Sequence, residues 1–255
     1  MRLRELLRII QAVQEKAETS KIWLVGGVPR DRLLGRANDL SDLDFSTGDK
    51  TVHILAKEVA ILLGKHFDIK TKIMDDGHIS IFFGDIKLDF SSNFMVPNIT
   101  EILNKMGIEH PTNIQKEFFS RDFTCNSLLM SLDLNKFLDP TRLGIQDIKQ
   151  KIIRTCLSPE ITLTSNKNRV IRAIYLAAKL GFEIEPLLME WIKKHPDSIK
   201  FSTEHTLSEK LNKAMEYDPD RTTYLLDKMG LWQQIPISQE MYPYYRKRMA
   251  AEVVI

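Results

Sequence analysis

A chain of 255 residues, 43% apolar and 27% charged, has the composition of an ordinary folded protein of one or two domains. That excludes compositional disorder, and a formal net charge of +2 names no nucleic-acid partner by itself while leaving room for a basic face. No apolar run approaches the length that crosses a bilayer, and Cys125 and Cys156 lie in unrelated contexts that suggest neither a disulfide framework nor a zinc site, so a cytoplasmic protein is expected.

Leu3, Leu6, Leu7, Ile10 and Val13 recur at helical spacing with charges between them, which predicts an amphipathic opening helix rather than a signal peptide. "IWLV" reads as a buried strand, "PRDRLLG" as a short helix with Pro29 in its first turn, and "LDFST" as a second strand. "TVHILAKEVAILLGKHF" has helical periodicity, and "DIKTKIM", "HISIFF" and "IKLDFSS" are three further strands, the last two joined near Gly84-Asp85. Residues 93–115 are polar and broken by Pro97, Gly107 and Pro111, which predicts a mobile loop holding one short helix at "ITEILNKMG". From Arg121 onward the pattern predicts helix almost throughout: "FTCNSLLMSL", "IQDIKQKII", "KNRVIRAIYLAAKLG", "PLLMEWIKKH", "TLSEKLNKAME" and "RTTYLLDKMGLW". Strands followed by helices give an α+β head and an all-helical second domain, with no internal repeat.

Two features of the head carry chemistry. Asp42 and Asp44, two apart on a strand, point to the same side. Crowded carboxylates repel, so a pair kept ionised implies a cation between them, and hard oxygens without His or Cys suit Mg²⁺, with Mn²⁺ as the other choice. Gly26 and Gly27, between a strand and a helix, let backbone amides approach a triphosphate, and Arg30 offers a positive charge to it. Either motif alone is common on surface loops and turns; their order and spacing together point to phosphoryl transfer.

"LVGGVPRDRLLG" followed by "SDLDF" resembles the head signature of the class II tRNA nucleotidyltransferases (CCA-adding enzymes) and bacterial poly(A) polymerases, within the polymerase β nucleotidyltransferase superfamily. "SRDFTCNSLL" resembles that family's second motif, "FLDPTRLGIQDIKQKIIRT" is similar to its D-P-x-x-G-x-x-D-L segment, and "NRVIRAIYLAAKLGFEIEP" is similar to its neck helix. The likeness runs from about Lys21 to about Trp232.

The resemblance implies a polymerase β-like head over residues 1–138 and a helical neck and partial body over 139–255, with the family's tail absent. It implies that Asp42 and Asp44 hold the metal and that Asp89 of "IKLDFSS" is a third catalytic acid, preferred to Asp85 nearer the turn. Gly26, Gly27, Arg30, Arg121, Asp122 and Asn126 are then nucleotide-binding, with Asn166, Arg169 and Arg172 of the neck beside them. Ser120 replaces the usual first arginine of the second motif. In the neck, the family's base-reading E-D-x-x-R becomes Ser165-Asn166-Lys167-Asn168-Arg169. Aspartate only accepts hydrogen bonds whereas asparagine also donates, so base selection is expected to be relaxed or altered. Ser165 and Asn166 also have the residue types of a cap for a helix beginning near Lys167. The loop lacks the family's G-R-x-P segment, which puts the switch from C to A addition in doubt.

The expected function is template-independent addition of nucleotides to an RNA 3′ end, foremost CCA addition or repair on tRNA from ATP and CTP, with other NTPs open. A poly(A)-polymerase-like tailing enzyme and a non-catalytic nucleotide- or RNA-binding module are the rival readings. Relatives continue beyond "YYRKRMAAEVVI", which leaves three expectations open: the tail is missing by nature, the sequence is a piece of a longer chain, or a partner or oligomer supplies RNA binding; no membrane association is expected.

Overall fold

The computed structural model describes residues 3–17, 19–36, 41–74, 78–92, 95–166, 168–235 and 243. Asn93 and Phe94 of the predicted loop, Lys167 of the neck and the closing "YYRKRMAAEVVI" lie outside the described residues. The chain divides into two compact units between Lys149 and Gln150. Among the described residues no helix is long and apolar enough to cross a membrane.

The first unit is α+β. Its elements in chain order are α1 (Leu3–Lys16), β1 (Trp23–Val25), α2 (Gly27–Leu33), β2 (Asp42–Ser46), α3 (Thr51–Gly64), β3 (Lys70–Ile73), β4 (Ile79–Phe83), β5 (Ile86–Phe90), α4 (Ile99–Lys105), α5 (Asn113–Phe119), β6 (Leu129–Met130), β7 (Phe137–Leu138) and α6 (Gly144–Gln150). The seven strands form one sheet in the order β3-β4-β5-β2-β1-β6-β7. β2 and β5 pair in parallel, because α3 and the β3–β4 hairpin carry the chain back before β5 begins; the other pairs are antiparallel.

One face of the sheet holds the core. Leu6, Leu7 and Ile10 of α1 and Val52, Leu55 and Val59 of α3 bury against Leu24, Leu43, Phe45, Ile81, Leu88 and Phe90 from the strands. Phe45 and Phe90 stack across the parallel pair with ring centroids 4.9 Å apart. The strand residues between these point to the other face, which is where the charged residues of β2 and β5 lie.

The helical prediction for "FTCNSLLMSL" is corrected: Thr124–Asn126 form one 3₁₀ turn and Leu129–Met130 are β6, with Met130 opposite Leu24 of β1. A short apolar run fits both periods, and pairing at the sheet decides for strand. Ile152–Ile153, predicted as the end of a helix, are likewise a strand, and α5 occupies the end of the predicted loop. A capping box starts α5: Thr112 Oγ1 accepts from Gln115 N at 3.2 Å and Gln115 Oε1 from Thr112 N at 2.9 Å.

Among its described residues the second unit is helical apart from one small parallel pair, β8 (Ile152–Ile153) and β9 (Glu183–Ile184). Its helices are α7 (Pro159–Thr164), α8 (Arg169–Leu180), α9 (Pro186–Lys194), α10 (Glu204–Tyr217) and α11 (Pro219–Lys228). α8 is central: its Val170, Ile171, Ala173, Ile174 and Ala177 are buried, and it packs against α10 and α11, in which Leu207, Leu211 and Leu225 are buried.

Candidate active site

The parallel register sets Asp42 against Lys87 and Asp44 against Asp89. Leu43, Phe45, Leu88 and Phe90 are fully buried in the core, so the period of two sends the four charged residues to the opposite face. One carboxylate oxygen from each of Asp42, Asp44 and Asp89 lies within 4.8 Å of the other two. Asp42 is exposed, Asp44 half-buried and Asp89 buried.

This crowding shows in the titration of the group. Burial, then the charge of Asp42 and that of Asp89, push Asp44 from its ordinary 3.8 up to about 6, against the pull of Arg121 and Lys87. Asp89 goes the other way: burial alone would raise it, but the donors of His78, Lys87 and Ser80 outweigh that and hold it at about 2.

The glycine turn is fitted to the carboxylates. Val25, the last residue of β1, lies opposite Asp44, so the chain turns where the Asp44 side chain arrives. Gly26 has φ 71° there, and a Cβ would stand 2.5 Å from Asp44 Oδ2. A Cβ on Gly27 would lie 3.3 Å from Arg30 Nη2.

Arg30 itself is buried. Its Nε and Nη2 donate to the two oxygens of Asp31 at 2.8 and 2.9 Å, and Nη1 donates to Asn126 Oδ1 at 2.6 Å. Arg30 and Asn126 are thereby brought together next to the turn, with the guanidinium holding the motifs in place. Arg121 donates from Nη2 to Glu117 Oε1 at 2.9 Å and lies over the Phe118 ring at 4.4 Å. Asp122 Oδ1 accepts from Phe123 N at 2.8 Å. Ser120 Oγ accepts from Val96 N at 2.9 Å and donates to Lys116 O at 2.7 Å, so it secures the loop ahead of α5.

Several supporting residues were not singled out in the sequence. Glu117 Oε1 also accepts from Ser46 Oγ at 2.8 Å, tying the end of β2 to α5. Asp147 Oδ2 accepts from Thr124 Oγ1 at 2.6 Å, and a Cβ on Gly144 would meet Thr124 O at 2.5 Å, so the "DPTRLGIQD" segment clamps the 3₁₀ turn of "SRDFTCN". Lys87 was readable only as the residue two before Asp89, a period-two relation that puts both on one face.

Asn166, Arg169 and Arg172 belong to the second unit. Asn166 Oδ1 accepts from Asn168 N at 3.0 Å, an Asx turn leading into α8, which starts at Arg169. Arg169 Nη1 donates to Thr162 O at 3.0 Å and to Ser165 Oγ at 2.9 Å, closing the end of α7. The Arg172 amide donates to Asn168 O at 3.1 Å in the first turn of α8.

The model of the poly A polymerase head domain family matches residues 22–154, more than half of the chain. tRNA nucleotidyltransferase cca2 of Schizosaccharomyces pombe is 25% identical over 216 residues, 75% of this chain and 42% of that protein. The CCA-adding enzyme of Geobacillus sp. is 25% identical over 236 residues, 92% of this chain and 55% of that one. The chain therefore spans about half the length of these relatives. The crystal structure of the Bacillus stearothermophilus CCA-adding enzyme in complex with CTP superposes with a TM-score of 0.69 at 23% identity, over 90% of this chain and 53% of that one. That likeness shows the fold.

Proposed function

The chain belongs to the poly A polymerase head domain family, and from that premise we propose that it transfers nucleotides from NTPs to an RNA 3′ end, its substrate being tRNA that lacks part or all of CCA. One observation carries this reading: the parallel β2–β5 pair gathers Asp42, Asp44 and Asp89 within 4.8 Å on one face, beside a glycine turn shaped to the Asp44 carboxylate.

These residues fit a divalent cation. Their donors are hard oxygens, and the burial and carboxylate repulsion that together lift Asp44 to about 6 are a cost that a cation would offset. We propose Mg²⁺, or Mn²⁺ in its place, held by Asp42 and Asp44. When bound, such an ion neutralises triphosphate charge and polarises the attacking 3′-hydroxyl. Asp42, more exposed and beside Asp44, is placed to take the hydroxyl proton. Gly26 and Gly27 are proposed to present their amides to phosphate oxygens, with Arg30 and Asn126 bracing that turn through their 2.6 Å hydrogen bond. Arg121, whose charge reaches Asp44, is placed to face the phosphates. Asn166, Arg169 and Arg172 are proposed to read the base. The reaction is proposed to run in the cytoplasm, where its nucleotide and RNA substrates reside.

The test incubates the full chain with Mg²⁺, a tRNA transcript lacking CCA, an unstructured RNA oligonucleotide, and each labelled NTP alone and in mixture. Extension of the tRNA, reduced at least about a thousandfold in Asp42→Ala and Asp44→Ala, is the expected result. Use of UTP or GTP alongside CTP and ATP would mark relaxed selection at Asn166. Nucleotide binding without extension of either RNA would overturn the catalytic reading.

A further inference from the structure

Lys87 stands on the acidic face without a role in the reaction described above. The β2–β5 register places it directly across from Asp42, and it precedes Asp89 by two residues, so its side chain rises on the carboxylate side. Its Nζ contacts Asp89 Oδ2 and lies 3.7 Å from Asp42 Oδ1. The other Asp89 oxygen, Oδ1, faces His78 Nε2 at 3.3 Å. Asp89 thus has a nitrogen of the chain itself beside each of its two oxygens, the Lys87 ammonium on Oδ2 and the His78 ring on Oδ1. The Lys87 side chain is 37% exposed, and its ammonium sits at the end of a flexible four-carbon stem.

From this geometry we infer that Lys87 is a tethered cation of the triad, anchored by Asp89, that weakens the site's hold on a free divalent ion and makes the ion enter together with a nucleotide. The inference rests on the proposed metal site and names what regulates its occupancy. One ammonium between Asp42 and Asp89 supplies part of the positive charge that the three carboxylates require. A dication arriving alone meets both reduced negative charge and a like charge beside it. A unit charge near a dication in a water-like dielectric changes affinity by roughly tenfold. An ion that arrives on a triphosphate brings its own anionic ligands, so the ammonium opposes it less and finds phosphate oxygens as alternative partners. Lys87 is therefore a positioning residue for charge.

The experiment measures free Mn²⁺ by electron paramagnetic resonance while Mn²⁺ is titrated into the full chain, Lys87→Met, Lys87→Gln, Lys87→Arg and Asp44→Asn, with and without a non-hydrolysable ATP analogue. Roughly tenfold tighter Mn²⁺ binding in both neutral variants is expected without nucleotide, with Lys87→Arg close to the original chain and the difference shrinking when the analogue is present. A merely structural lysine would leave affinity equal or weaker when removed. Equal or weaker binding in Lys87→Met and Lys87→Gln, with Mn²⁺ binding still lost in Asp44→Asn, overturns the inference and leaves the metal site standing. Mn²⁺ binding that Asp44→Asn leaves intact, or no binding in any chain, overturns both. Two neutral variants keep the result readable if one fails to fold.

Discussion

At Asp44 the proposed catalytic role and the stability of the fold make opposite demands on one carboxylate. Its pKa lies near 6 in the fold against an ordinary 3.8, so the folded state holds this proton more tightly than the unfolded one. For a carboxylate raised in this way the penalty is absent below the unfolded value, grows as pH rises from about 4 to about 6, and is complete above that. Asp44→Asn should therefore stabilise the metal-free protein at pH 7.5 by about 3 kcal/mol and change little below pH 4, while abolishing nucleotide transfer. Chemical denaturation at the two pH values checks this, and an equal effect at both would mean that charge is not the cause. Gly26 is tied to the same group. Gly26→Ala places a methyl 2.5 Å from Asp44 Oδ2 at a φ of 71°, so either the turn or the carboxylate must move. A loss of at least about a hundredfold in kcat, with a stability cost of about 1–2 kcal/mol, is expected from steady-state kinetics and urea unfolding.

At the scale of elements, the join between β2 and α3 holds the strand of Asp42 and Asp44 in place. Asp49 Oδ1 accepts from Thr51 N at 2.9 Å and Thr51 Oγ1 at 2.5 Å, and Oδ2 accepts from Ser20 Oγ at 2.5 Å, which links the approach to β1 with the start of α3. Burial would raise this carboxyl, but the donors of Ser20, Thr51 and Thr47 outweigh it and hold it below its ordinary value. A depressed carboxylate contributes stability above its unfolded pKa and loses it as pH falls through the folded one. Asp49→Ala should cost about 1–2 kcal/mol at pH 7, and the gap to the original chain should narrow below pH 4. Urea midpoints at pH 7 and pH 3 decide it. α1, β1, β2, α3 and the β4–β5 hairpin were legible because their apolar spacing is regular and their turns carry Gly and Pro. The acidic pair was legible because a spacing of two fixes a shared face. The pairing of β5 with β2 was not, since sheet neighbours depend on the whole chain, and so neither was the meeting of Lys87 with Asp42. β6 escaped because the apolar run Leu128–Met130 within "FTCNSLLMSL" is too short for its period to decide, and the partner that decides, Leu24, lies more than a hundred residues away.

For the whole molecule, the two units each have a core of their own, so stabilisation of one need not reach the other. A ligand that binds the native form adds RT ln(1 + [L]/Kd) to the unit that holds it. Mn²⁺ held by Asp42 and Asp44 should then slow amide exchange in β2 and β5, at Leu43, Phe45, Leu88 and Phe90, by about tenfold when the ion is at ten times its Kd. α8 and α10 have no carboxylate of the triad and should exchange at unchanged rates. Hydrogen exchange read residue by residue, with Asp44→Asn as control, measures this. Protection that rises equally in both units would mean that they open as one cooperative body, and protection confined to the second unit would place the ion away from the acidic face.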